Sequence, residues 1–524
     1  MIIKSPSPDV DIPNITVTDY VLREAARLKD KPAIIDGPSG RTLTFGELAG
    51  AIKATAAGLG ARGFNKGDVF AIYSPNVPEY AVVFNAVASV GGINTTINPL
   101  YTADELTKQL NDCSARFIVT VPPFLDKALE AAAQSQVEEV FVFGEAEGAT
   151  PFSSLVRPDL EPPEVDIDPA VDLCVLPYSS GTTGMPKGVM LTHRNIVANL
   201  TQCDSMSGFD GFTEDDTLIG VLPFFHIYGM VVIMKLALGN GATVVSMPRF
   251  DLEEFLTICQ DQKVTVAPLV PPIVLGLAKH PIVDQFDLSS LRLVFSGAAP
   301  LGAELAAELS GRLSCPVVQG YGMTEASPVT HLSPTEGNVK PGAVGMVVPN
   351  TEVKIADLDS GSPLPPNQEG EVCIRGPQIM KGYLNRPDAT AESIDEEQWY
   401  HTGDIGYVDD DGFFYIVDRV KELIKYKGMQ VAPAELEALL ITHPDIADVA
   451  VVPKPDEEAG ELPKAYVVLK EGADAPADAI MGFVAERVAP HKRIRLVEFA
   501  DEIPKSASGK ILRRMLVERE RENA

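Results

Sequence analysis

The chain has 524 residues, well beyond the roughly 100–200 of an ordinary domain, so several domains or subdomains are expected. With 45% hydrophobic and 22% charged residues it belongs with globular proteins, which excludes disordered and fibrous classes, and 42 Gly with 42 Pro call for many turns. The 43 basic against 73 acidic residues give a formal charge of −30, a field that repels nucleic acid and anionic lipid; no nucleic-acid partner is expected, and a phosphate ligand must be held locally.

Six cysteines (Cys113, Cys174, Cys203, Cys259, Cys315, Cys373) stand far apart without a histidine rhythm, so neither a disulfide framework nor a zinc motif is expected and a reducing cytoplasm fits best. The start, MIIKSPSPDVDIPN, is broken by prolines and acids and does not read as a secretory signal. No apolar stretch approaches the roughly 20 residues of a bilayer span, so no integral membrane segment is expected. VERERENA is neither a peroxisomal nor a prenylation ending.

Along the first 160 residues, helical stretches at 20–30, 44–61, 80–90, 103–113 and 123–133 alternate with apolar strands at 69–73, 117–121 and 139–143, the pattern of α/β layering. The Pro- and acid-rich PDLEPPEVDIDP, 158–169, reads as a surface linker. A second α/β unit is expected from about 171 to 340. From 342 to 418, short β runs punctuated by Gly, Asp and Pro suggest a small barrel or sandwich. After KELIKYKG come a helix at 434–443, strands at 449–452 and 465–469, and a helix at 477–488, a compact last domain of about 100 residues.

YSSGTTGMPKGVMLTH, 178–193, directly follows the apolar CVLP. Ser179, Ser180, Thr182 and Thr183 among the bare amides of Gly181 and Gly184 can close on a polyphosphate, with Lys187 as counter-charge. No Gly-Lys-Ser/Thr completes a Walker loop. Taken alone, the stretch reads equally well as a solvated turn.

This segment resembles the signature phosphate loop of the acyl-adenylate-forming superfamily of CoA ligases, peptide-synthetase adenylation domains and luciferases. The family's further motifs follow in order: PFFHIYGM (223–230), SGAAPLG (296–302), QGYGMTEASP (319–328), YHTGD (400–404), DRVKELIKYKGMQVAPAELE (418–437) and PKSASGKILRR (504–514). The agreement is fullest with the 4-coumarate:CoA ligase branch, of bacterial cinnamate:CoA ligase type. It implies an α/β protein with a large N-terminal domain, 1–419, of three subdomains (two α/β layered units and a small β-barrel), and a small mobile α+β lid, 420–524, hinged at Lys421.

The resemblance also implies roles. Ala298, Gln319, Gly320, Tyr321 and Thr324 would join the loop residues around ATP, with Tyr321 under the adenine; Asp404, Arg419 and Lys421 would meet the ribose and hinge. Glu325 would be the Mg2+ ligand, a fitting task for carboxylate oxygen, although alone it reads as a loop acid. Lys510 would reach the carboxylate and the α-phosphate, where a fixed ammonium offsets the charge built as pyrophosphate leaves. Lys425, Lys427, Gly428 and Gln430 would replace it after domain rotation, Lys425 and Gln430 serving catalysis and Lys427 and Gly428 meeting CoA. Arg249 would meet the CoA phosphates. His226, which alone reads as a packed core residue, would be a gate between the ATP and pantetheine states; His193 is expected to be structural.

Ile227, Tyr228, Val231, Phe295, Gly297, Pro328, Val329 and Thr330 would line the acyl pocket. Many plant 4-coumarate ligases carry asparagine and lysine where this chain has Val231 and Phe295. The expected substrates are therefore ATP, coenzyme A and a cinnamate- or 4-coumarate-type acid. A medium-chain fatty acid is the alternative, and from another class an adenylate-binding protein or an acyl loader for a carrier protein.

Overall fold

The computed structural model describes residues 1–179, 186–335, 339–427, 429–456, 459–506 and 509–522. Two sheets, an outer and an inner, form most of the large N-terminal domain. The eight-stranded outer sheet runs in the order Gly382–Tyr383, Lys187–Thr192, Leu173–Ser179, Ile93–Thr96, Val69–Tyr73, Ala115–Thr120, Glu139–Val142, Thr150–Pro151. All five residues of Val69–Tyr73 are buried, as a strand covered on both faces requires. Phe70 and Ile72 enter the large central core, while Val69, Ala71 and Tyr73 enter a second apolar cluster on the other face, the alternation of a strand between two helical layers.

The inner sheet has nine strands. Its parallel centre is Leu293–Ser296, Val266–Leu269, Thr217–Gly220 and Thr243–Ser246, with Val317–Gly322 beside Leu293–Ser296. The two units are not contiguous in sequence. Pro32–Asp36 and Thr42–Thr44 belong to the inner sheet, whereas Leu173–Ser179 and Lys187–Thr192 belong to the outer one, so the division near residue 171 is corrected to an exchange of strands. Parallel pairing is non-local, and local hydrophobic pattern does not say which sheet a strand joins.

Helix starts follow their caps. Thr44 with Glu47, Thr102 with Glu105, and Thr192 with Asn195 form reciprocal capping boxes that start Phe45–Ala61, Ala103–Asp112 and His193–Asp204. The helix expected at 20–30 instead spans Val17–Val21, because the capping box of Thr16 and Asp19 starts it earlier, and Arg23 then reaches out to the Gly239 carbonyl and Asp204.

The β-rich stretch builds a five-stranded antiparallel sheet, Ile2–Lys4, Glu352–Ala356, Gly370–Arg375, Tyr400–Val408, Phe414–Arg419, around its own apolar cluster. The smaller C-terminal domain carries Met429–Val431, Ile424–Tyr426, Gly460–Leu469 and Ile446–Asp456, with Leu496–Phe499 alongside and helices Pro433–Leu440, Ala477–Ala485 and Arg513–Glu522. Ile424, Leu436, Val451, Val467 and Ile480 form a core separate from the central one. No helix among the described residues is long and apolar enough to cross a membrane.

Candidate active site

The candidate residues gather at the carboxyl ends of the inner sheet's parallel strands, the open edge where such sheets bind ligands. Leu293–Ser296 delivers Phe295, Gly297 and Ala298; Val317–Gly322 delivers Gln319, Gly320 and Tyr321. Ala298 takes a left-handed backbone, φ 70°. Gln319 gives its amide to the neighbouring loop, accepting from Leu301 N at 3.0 Å and donating to Leu301 O at 3.1 Å, so it fixes that loop.

Tyr321 donates its hydroxyl to Asp404 Oδ2 at 2.6 Å, and Arg419 Nε stands 3.2 Å from Asp404 Oδ1. Burial pushes the Asp404 carboxyl above the usual range, opposed by Arg419. Thr324 opens the short turn Thr324–Ala326, which carries the buried Glu325. Glu325 Oε1 accepts from Ser179 Oγ at 2.9 Å and from Tyr383 Oη at 3.0 Å. A carboxylate ringed by hydroxyls is a hard oxygen donor set, and it fits Mg2+. Lys187 lies 4.8 Å over the Tyr383 ring. Ser180, Gly181, Thr182 and Thr183 lie outside the described residues.

Lys510 comes into this cluster from the C-terminal domain. Lys510 is half-buried, and burial, then the Arg419 charge, pushes its ammonium below the ordinary lysine range, while Asp404 and Glu325 pull the other way. Gly509, at φ 78°, sits against the large domain: a Cβ there would lie 3.3 Å from Pro272 Cγ. Burial, then Lys510, holds His226 down to about 3, so its imidazole is neutral; Nδ1 accepts from Tyr228 N at 3.3 Å. His193 is buried and accepts from Val17 N at 3.2 Å, a structural role as expected.

The candidate acyl-pocket residues pack around Tyr228 and Phe295, whose ring centroids stand 6.1 Å apart. Tyr228 and Val231 lie on Tyr228–Leu236, a helix wound with the wide π spacing, preceded by the buried Ile227. Tyr228 Oη donates to Phe295 O at 2.9 Å. A Cβ at Gly297 would lie 3.0 Å from Tyr228 Cε1, and one at Gly320 would lie 2.6 Å from Phe295 Cζ, so both glycines leave room for these rings. Pro328 leads to Val329, whose N–H donates to Asn199 Oδ1 at 3.0 Å, and Thr330 Oγ1 donates to Tyr321 O at 3.1 Å. Beyond Phe295 a small cavity lined by Cys203, Phe209, Val232, Val329 and Leu332 is wholly apolar.

Other candidates are not brought to the cluster. Lys421 and Lys425 are exposed, and Lys425 lies on the hairpin of Ile424–Tyr426 and Met429–Val431. Lys427 is at its turn with φ 49°. Gly428 and the side chain of Gln430 lie outside the described residues. Arg249 is exposed after Thr243–Ser246. Sequence reasoning missed Tyr383, which bridges Glu325 and Lys187; GYLN carries no signal by composition, and only a cross-strand partner, Val189 opposite Tyr383, brings it in.

The AMP-binding enzyme model matches residues 21–384, and the AMP-binding enzyme C-terminal domain model matches residues 435–510. The chain is 46% identical to 4-coumarate–CoA ligase 1 of Solanum tuberosum, over 98% of this chain and 96% of that one. The anthranilate CoA ligase AuaEII in complex with anthranoyl-AMP superposes with a TM-score of 0.90 at 26% identity, covering 98% of both chains. ATP-bound MatB from Rhodopseudomonas palustris superposes at 0.88 with 28% identity, over 97% of this chain and 99% of that one, and its apo form at 0.77.

Proposed function

The chain belongs to the AMP-binding enzyme family, and from that premise we propose that it joins a carboxylic acid to coenzyme A with ATP, the acid being an aryl-propenoate of the cinnamate and 4-coumarate type. The observation that carries this reading is the pair of held carboxylates, Asp404 by Tyr321 and Arg419 and Glu325 by Ser179 and Tyr383, with Gly509 of the C-terminal domain packed on Pro272 so that Lys510 comes within electrostatic reach of both. In the first step an acid oxygen attacks the α-phosphorus of ATP, a P–O bond forms, and the bond to pyrophosphate breaks. Lys510 offsets the charge that builds on both groups. Asp404, with two acceptor oxygens, suits the ribose hydroxyls, and Arg419 holds it in place. Glu325 would hold a magnesium ion, which would neutralise phosphate charge, and Thr324 would contact the phosphate.

In the second step the CoA sulfur attacks the acyl carbonyl, AMP leaves with the bonding pair, and the thiol proton passes to solvent. His226, being neutral, acts as a gate rather than as an acid. We place the domain boundary at Arg419–Val420 with the pivot at Lys421, between the last strand of one sheet, Phe414–Arg419, and the first of the next, Ile424–Tyr426. The better superposition on ATP-bound than on apo MatB, 0.88 against 0.77, supports reading this arrangement as the adenylate-forming one. Rotation about Lys421 would then withdraw Lys510 and bring in Lys425 and Gln430, with Lys427, Gly428 and Arg249 meeting CoA.

The candidate acyl-pocket residues would determine the acid. Val231 and Phe295 are buried and apolar, and Ser296, whose Oγ has no partner among the described residues, follows Phe295 on the opposite face of the strand. A ring 4-hydroxyl therefore enters apolar surroundings, and an unsatisfied buried hydroxyl costs about 1–3 kcal/mol. Cinnamate is expected to be used at least as well as 4-coumarate, sinapate poorly because Val329 occupies the pocket, and octanoate detectably but more weakly. Specificity constants for the four acids check this: a clear preference for 4-coumarate would refute the hydroxyl argument, and a preference for octanoate would make the chain a fatty acyl-CoA synthetase.

A further inference from the structure

A cluster outside the nucleotide site combines a thiol, an imidazole and a carboxylate. Antiparallel pairing of Gly370–Arg375 with Tyr400–Val408 sets Cys373 directly opposite His401, and Glu371 lies two residues before Cys373. Cys373 Sγ is 3.5 Å from His401 Nδ1, Nδ1 is 2.9 Å from Glu371 Oε2, and Oε2 is 3.9 Å from Sγ. A tetrahedral zinc ion takes sulfur at about 2.3 Å and nitrogen or oxygen at about 2.0–2.2 Å, so the edges between its ligand atoms run roughly 3.3–3.6 Å. The three donor atoms thus already stand near one face of such a tetrahedron.

Their surroundings match. His401 Nε2 lies 3.3 Å from Asp395 Oδ2, the carboxylate behind the ring that metal-binding histidines usually have. Asp395 is itself fixed, its Oδ1 accepting from Glu397 N at 2.9 Å and Trp399 N at 2.8 Å. Glu371 Oε1 accepts from Gly403 N at 3.0 Å, which orients the carboxylate. Cys373 is buried, while the side chains of His401 and Glu371 keep 32% and 20% exposure, a route for an ion and a water.

We propose that Glu371, Cys373 and His401 bind one Zn2+ ion, with water as the fourth ligand, at a site separate from the nucleotide-binding cluster. The thiol proton and the Nδ1 proton leave to solvent as the ion enters. One thiolate and one carboxylate then balance the dication, and no net charge is enclosed. In the metal-free protein an imidazolium between Glu371 and Asp395 takes the same place. Because Glu371 also holds Gly403, the neighbour of Asp404, the ion stiffens the turn that presents the ribose-binding carboxylate.

The test loads the full chain with Co2+ in place of Zn2+ and reads the near-ultraviolet thiolate-to-cobalt band, with bound zinc counted separately by elemental analysis. One ion per chain is expected, with a band that Zn2+ displaces, that Cys373→Ala abolishes and that Asp395→Asn weakens by about 10–100-fold in affinity. Zn2+ should raise the thermal midpoint of the wild type and of neither Cys373→Ala nor His401→Gln. Absence of the band from the wild-type chain overturns the proposal without any variant having to fold. So does a band that persists in Cys373→Ala with an unchanged far-ultraviolet spectrum, since it would belong to another cysteine.

Discussion

Lys510→Ala will lower the rate of acyl-adenylate formation by about 10²–10³-fold or more, the scale for removing a fixed group that stabilises transition-state charge. It will leave conversion of chemically supplied acyl-AMP and CoA to thioester within a few-fold of wild type. The reason is positional. Gly509, the residue before Lys510, sits against Pro272 of the large domain, which brings the ammonium within electrostatic reach of Asp404 and Glu325, and in the proposed second arrangement the loop leaves. Pyrophosphate release and thioester formation, measured separately in single turnovers, check it. Equal loss of both half-reactions would contradict the two-arrangement scheme.

The mirror result is expected from Lys425→Ala and Gln430→Ala: an intact pyrophosphate burst and a thioester step slowed by roughly 10²-fold, the lower end of the scale for a single lost electrostatic contact. Lys425 is exposed on its hairpin and has no part in the cluster around Lys510. Lys421→Pro should give the same phenotype by a different route, because proline fixes φ at the pivot and hinders rotation. Loss of the burst in all three variants would show that these residues act before the adenylate forms, and the hinge assignment would fall.

What was legible in the sequence follows a physical division. Loops such as SGAAPLG and QGYGMTE are legible through the resemblance because each is a short contiguous motif, and within them Gly297 and Gly320 leave room for the Tyr228 and Phe295 rings. Helix starts at Thr44 and Thr102 are legible because their capping boxes span three residues. Strand partners are not: Pro32–Asp36, inside the first α/β stretch, pairs with Thr243–Ser246 some two hundred positions away. Tyr383 and the Glu371, Cys373 and His401 cluster were missed for the same reason, each being made by cross-strand register. The cysteines are read by sequence spacing alone, which does not register side chains brought together across two strands.

The central claim, that the acid is activated as an adenylate before CoA takes part, is tested most directly by acid-dependent exchange of labelled pyrophosphate into ATP. With cinnamate and Mg2+ but no CoA, wild-type chain should catalyse exchange, and Lys510→Ala should lose it. Exchange that requires CoA, or that proceeds equally well without any acid, would contradict the account.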